Sequence, residues 1–218
     1  MPTLFLIRHG ENDFLKNKTL AGLLPGTHLN QRGREQAAAL AATLKDLPIE
    51  AIYSSPMERA IETAAPLAAA RRLQVQIRPA LTETNVGAWV NRQIKDLSEL
   101  PEWTQLQEQP SLFRFPKGES FLECQERVVT DLITLLNAHP ANSLIAAFFH
   151  GDPIKLALAH FIGLPLDHFQ KLMIAPGSVT ILKFQKNRFH LIAMNLIPPF
   201  NVADYLPPVP PDNSKTNP

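Results

Sequence analysis

Thr3–Arg8 (TLFLIR) is a continuous apolar run closed by a cation and a glycine turn, which predicts a short strand buried on both faces. Residues 11–29 show no period and hold Gly22, Pro25 and Gly26, so they read as a long loop over one face. Loops of that length in compact domains tend to carry function. Asn30 then caps a predicted helix to about Leu44, with Ala37, Leu40, Ala41 and Leu44 as its apolar stripe. A second short strand at 51–53 runs into Ser55-Pro56-Met57-Glu58. There Ser55 and Glu58 have capping-box spacing and Pro56 the first helical position, predicting a helix to about Ala70. A third strand falls near 75–77, followed by a less regular stretch, 80–117, with one or two short helices.

Ser120 and Glu123 repeat the capping-box spacing ahead of a helix to about Ala138. Residues 143–149 (SLIAAFF) form the most apolar strand, expected at the sheet centre and ending at His150-Gly151. Asp152-Pro153 reads as an N-cap and first-turn proline, opening a helix to about Phe161. Strands near 178–184 and 189–195 read as an antiparallel edge hairpin. From Pro198 the chain is proline-rich, giving a domain over 1–197 and an extended tail over 198–218, packed in part by Phe200 and Tyr205.

Strands alternating with helices imply a three-layer α/β/α sandwich with a mostly parallel sheet. Ligands in such sheets bind beyond the carboxyl ends of the strands. His9 follows the first strand, Arg59 lies just past the second, and His150 ends the most apolar one. The topology therefore gathers them at one edge. A cation in a helix's first turn, as at Arg59, opposes the helix dipole unless an anion sits there. Two imidazoles and the guanidiniums of Arg8 and Arg59 call for an anion of about two charges, which phosphate supplies.

Composition narrows the partners. The 218 residues are 45% hydrophobic and 19% charged, enough for one domain with a substantial core. A formal net charge of +1 gives no global field for nucleic acid, so any anion site is local. The single cysteine, Cys124, excludes an internal disulfide and a cysteine zinc cluster. Its helical spacing with Phe121, Val128 and Leu132 predicts a buried, unreactive thiol. His28, His139, His168 and His190 lack ligand spacing, so no metal is expected. No secretory leader and no apolar run of membrane-spanning length is seen, which predicts a cytoplasmic protein without membrane contact and leaves a homodimer open.

The segments LFLIRHGEN, LNQRGREQAAAL, YSSPMERAIETAAPLA, LTETNVGAW, FPKGES and FFHGDPIKLAL, in that order, resemble the histidine phosphatase superfamily, also called phosphoglycerate mutase-like. The resemblance runs from Thr3 to about Asn195. It implies the phosphoglycerate mutase-like α/β/α fold and a metal-independent phosphatase, without cofactor, acting on a small phosphomonoester. By it, His9 is the nucleophile that becomes phosphohistidine. Arg8, Arg59 and His150 form the phosphate pocket, with Asn12 and Gly151 beside them, and Glu83 protonates the leaving oxygen. A neutral imidazole is a competent nucleophile for a loose phosphoryl transition state, and the neighbouring cations favour that neutral form. Glu83 serves as acid and then as base, which predicts an acidic to near-neutral optimum.

One position departs from the family pattern R-H-G-x-[ST]-x-x-N, where Asn12 and Leu15 stand at the last two named places. Asn12 still offers a hydrogen bond and Leu15 does not, so Lys16 or Asn17 is expected to substitute. Asp152 beside the pocket is assigned to capping, and Lys155 and His160 to the helix surface. Hydrolysis is favoured over mutase transfer because the stretch from Glu83 to Gly87 lacks the tyrosine of dedicated mutases. A non-catalytic binding module would be expected to have lost His9 or Glu83. For the rest of the substrate, Lys16, Lys18, Arg92 and Lys117 are candidate anion contacts, and Phe14, Trp89, Phe113 and Phe115 a candidate apolar mouth.

Overall fold

The computed structural model describes residues 2–185 and 188–206. In chain order its main elements are β1 (Thr3–Arg8), α1 (Asp13–Lys16), α2 (Gln31–Leu44), β2 (Ile49–Ser54), α3 (Glu58–Arg71) and β3 (Val75–Ile77). There follow α4 (Ile94–Leu97), α5 (Pro101–Glu108), α6 (Phe121–Ala138), β4 (Leu144–Phe149), α7 (Gly151–Ile162), β5 (Val179–Gln185) and β6 (Arg188–Leu196). The strands form one sheet in the order β3-β2-β4-β1-β5-β6. The first four are parallel to one another, and β5 and β6 run antiparallel.

Strand periodicity explains the two-sided core. Leu4 and Leu6 of β1, with Ile145, Ala147 and Phe149 of β4, pack on one face against α6 and α7. Phe5 and Ile7, with Leu144, Ala146 and Phe148, pack on the other against α2 and α3. Both strands are covered on both faces, which is why they read as unbroken apolar runs. The architecture is the expected α/β/α sandwich, with β4 central. Cys124 is fully buried on α6, and burial pushes its thiol up to about 12.

Two helix starts differ from the sequence reading. The Ser120–Glu123 capping box forms on α6, and Asn30 caps α2 through Gly33 N–H at 2.9 Å. Ser55 and Glu58, in contrast, make no box. The helix starts at Glu58 behind Met57, the Ser55 hydroxyl is engaged by His150, and Glu58 accepts the Gly26 N–H at 3.1 Å. Likewise α7 starts two residues early, with His150 at the N-cap position. Asp152 lies inside the first turn and pairs with Lys155 at 3.2 Å, so capping does not account for it. The long loop gains one short helix, α1, capped by Asn12. The irregular 80–117 stretch holds α4 and α5.

After β6, Val202 is buried, and Phe200 and Leu206 pack against the α2–α3 side of the core. Tyr205 meets Phe200 edge-on at 6.3 Å between ring centroids. The rest of the proline-rich stretch, 207–218, lies outside the described residues. Among the described residues no helix is long and apolar enough to cross a membrane.

Candidate active site

The turn after β1 is fixed from several sides. His9 N–H donates to Phe149 at the end of β4 at 2.9 Å, and Gly10 N–H to the Thr63 hydroxyl at 3.0 Å. Thr63 in turn donates to the Arg59 carbonyl at 2.6 Å, tying the turn to α3. Gly10 and Gly33 let the first turn of α2 press against this turn. A β-carbon on Gly10 would fall 2.6 Å from the Gly33 carbonyl oxygen, and one on Gly33 2.0 Å from that of Glu11. Neither leaves room for a side chain.

The residues expected to act together are brought together. Arg8, His9, Asn12, Arg59, Glu83 and Gly151 line one cavity of about 190 Å³ at the carboxyl ends of the parallel strands. His150 stands behind it, fully buried, with its ring centroid 5.2 Å from that of His9. Gly151 makes room for Arg8, whose guanidinium carbon would lie 3.0 Å from a β-carbon there.

A carbonyl acceptor sets the His9 tautomer. His9 Nδ1–H donates to the Gly10 carbonyl at 2.7 Å, leaving Nε2 with its lone pair free. Ser55 Oγ accepts the Met57 N–H at 3.3 Å and is hydrogen-bonded to His150 Nε2 at 2.7 Å, where a Ser55 O–H donating to Nε2 would place the imidazole proton on His150 Nδ1. His150 Nδ1 lies 3.6 Å from Glu83 Oε2, beyond hydrogen-bond reach, and has no partner. Two guanidinium nitrogens share that condition. Arg8 bonds the Ile174 carbonyl through one Nη and Arg59 the Gly22 carbonyl through another, while Arg8 Nε and Arg59 Nη1 stay buried and unpaired. Buried donors of this kind cost free energy unless something accepts from them.

Electrostatics fits a neutral histidine beside bound negative charge. Burial, then Arg59 and Arg8, holds His9 well below the usual imidazole range. The expectation had named the cations, and desolvation is the larger cause. Burial, then Arg59, does the same for His150. Burial and the nearby Asp152 push Glu83 up to about 7 against the pull of Arg59 and Arg8, although a fifth of its side chain faces the cavity. Ligand-type atoms of His9, Glu83 and His150 lie within 4.8 Å of one another, a spacing a metal ion could bridge. The two guanidiniums lining the same cavity oppose a cation there.

Other expectations are corrected. Leu15 lines the cavity, whereas Lys16 and Asn17, expected to replace a family asparagine, do not. Asn12 spends its carbonyl oxygen on capping α1, at 2.8 Å from Leu15 N–H. Lys18, Arg92 and Lys117 also lie off the cavity lining, while Lys155, assigned to the helix surface, is part of it with Asp152. Of the proposed apolar mouth only Phe14 reaches the cavity. Trp89, Phe113 and Phe115 pack on one another in the core instead.

Arg127 on α6 escaped the sequence reading. It donates to the carbonyls of Ala80 at 2.7 Å and of Thr82 and Glu83 at 3.0 Å, and pairs with Glu119 at 2.7 Å. Glu119 also accepts the Asn85 N–H at 2.8 Å. Together they hold the loop that presents Glu83. The only sequence signal was an arginine between Cys124 and Val128, beside the buried face of the helix.

The family model for the histidine phosphatase superfamily (branch 1) matches residues 4–197. Phosphoserine phosphatase 1 of Hydrogenobacter thermophilus is 27% identical over 198 residues, covering 90% of this chain and 93% of that one. A probable phosphoglycerate mutase, GpmB, of Escherichia fergusonii is 30% identical over 191 residues, covering 87% and 88%. A mycobacterial glucosyl-3-phosphoglycerate phosphatase, solved with VO3, superposes with a TM-score of 0.82 at 26% identity, covering 89% of this chain and 98% of that one.

Proposed function

The chain belongs to the histidine phosphatase superfamily, and from that membership we propose that it hydrolyses a small phosphomonoester through a phosphohistidine on His9. The observation that carries the assignment of roles is the trio of buried, unpaired nitrogens, Arg8 Nε, Arg59 Nη1 and His150 Nδ1, beside the free Nε2 of His9. Phosphoryl oxygens satisfy all three.

In the first step the Nε2 lone pair attacks phosphorus. The P–N bond forms as the P–O bond to the leaving group breaks, and the Glu83 carboxyl gives its proton to the departing oxygen. The guanidiniums of Arg8 and Arg59 and the imidazole N–H of His150 accept the charge spread over the equatorial oxygens. In the second step ionised Glu83 takes a proton from water, whose oxygen attacks phosphorus. The P–N bond breaks, returning neutral His9 and inorganic phosphate. Asn12 and Gly151 complete the phosphate-facing wall.

Residues 1–197 are the catalytic unit in this reading, with 198–218 appended to it. The protein acts in the cytoplasm, as a monomer or homodimer, on a small phosphorylated molecule rather than nucleic acid, in keeping with its net charge of +1.

Assay of phosphomonoester hydrolysis in a chelating buffer tests the proposal. Wild type should be active, His9→Ala should lose on the order of 10³-fold in kcat, and Glu83→Gln about 10²-fold or more. Full activity in His9→Ala would sink the mechanism. The likeness to a mutase keeps one alternative in view, in which the phosphoryl group returns to a second substrate hydroxyl. Transfer between phosphoglycerates outpacing hydrolysis would select it.

A further inference from the structure

Much of the cavity lining apart from the phosphate donors is apolar, with Thr19 and Thr84 among it. Phe14, Leu15 and Leu20 come from the loop after β1, Val86 from the acid loop and Ile94 from the start of α4. Phe14, Leu15, Leu20 and Ile94 are only half-buried, so part of their apolar surface is left to the cavity. The wall is also preformed. Leu20 N–H donates to Arg92 at 3.0 Å, Asn91 N–H to Leu20 at 2.8 Å and Ile94 N–H to Lys18 at 2.9 Å, zipping the loop to the segment before α4. Thr19 and Gln93 add a β-bridge.

Charge on this wall is already matched. The cations among the described lining residues are Arg8, Arg59 and Lys155. The guanidiniums of the first two flank the nucleophile, and Lys155 is held by Asp152 at 3.2 Å. A substrate carboxylate would have to share Lys155 with Asp152, a like charge next to it. No lining cation is left over for a second anionic group.

We infer that the enzyme prefers phosphate monoesters of uncharged, largely apolar alcohols over those carrying a carboxylate. The inference rests on the phosphatase reading and names its substrate class. Apolar contact made equally in ground and transition states raises kcat/KM as the leaving group covers more of the wall.

A series of n-alkyl phosphates tests this at nearly constant leaving-group chemistry. From ethyl to hexyl phosphate, kcat/KM should rise about tenfold or more, since each buried methylene is worth up to about fourfold. Hexyl phosphate should also exceed 3-phosphoglycerate and phosphoserine. Ile94→Lys and, separately, Leu20→Lys should lower the hexyl-to-ethyl ratio and raise relative activity on 3-phosphoglycerate. Because the readout is a ratio within each variant, partial loss of folded protein does not mimic it. A flat or falling alkyl series, or preference for the carboxylated esters, overturns the inference while leaving the phosphatase reading intact. Failure to hydrolyse any of these esters removes both.

Discussion

In the proposed mechanism Glu83 holds a proton in one half of the reaction and lacks it in the other, so its acidity near neutrality matters as much as its position. Burial, then Asp152, raises it, Arg59, the Thr84 N–H and Arg8 pull it back, and the balance stands at about 7. Donation requires the protonated form, so phosphorylation of His9 should fall as pH rises through about 7. Asp152→Asn removes a like charge, lowers the pKa of Glu83 and should move that alkaline limb toward acid. Single-turnover rates against pH would show it, and an unmoved limb would separate Asp152 from the acid. The sequence exposed His9, Arg59 and His150 because each follows a strand end. It misplaced Asp152 because Asp-Pro reads the same whether the aspartate caps a helix or lies inside its first turn, and only the folded backbone, with His150 extended and Gly151 already helical, tells which.

At the scale of an element, α6 is more than a cover for the sheet. Through Arg127 it carries the loop of the acid, with three carbonyls and Glu119 sharing one guanidinium. Arg127 is three-quarters buried, so Arg127→Ala should cost about 2–4 kcal/mol in stability by leaving these acceptors unpaired. It should also lower kcat more than it raises KM, because Glu83 shifts while the phosphate donors stay. Arg127→Lys should rescue little, since an ammonium lacks the planar fork that spans these acceptors. A KM rise with kcat unchanged would deny Arg127 its positioning role. Helix starts governed by neighbours in sequence were legible, as at Asn30 and Ser120. The start of α3 was not, because Ser55 is claimed by a histidine 95 residues away.

For the whole molecule, the layering, the central place of β4 and the antiparallel edge hairpin were legible in the apolar runs, whereas the order β3-β2-β4-β1-β5-β6 was not, since strands buried on both sides look alike in sequence. The cavity wall was less legible. Trp89, Phe113 and Phe115 have the composition of a mouth, and only packing shows that they fill the core around one another. The unpaired donors bear on the molecule's stability as well. Phosphate or vanadate at about a hundred times its Kd should add about 2.7 kcal/mol and raise Tm by about 5–10 °C. Thermal unfolding would measure this, and Arg59→Ala should largely lose the response. An equal shift in that variant would place the anion elsewhere. In the proposed mechanism those same three groups bear on the tempo of turnover. Inorganic phosphate, to leave, would have to give up Arg8, Arg59 and His150 together, so product exit rather than bond cleavage is the expected slow passage, and free phosphate in the surroundings the expected brake on the enzyme at rest.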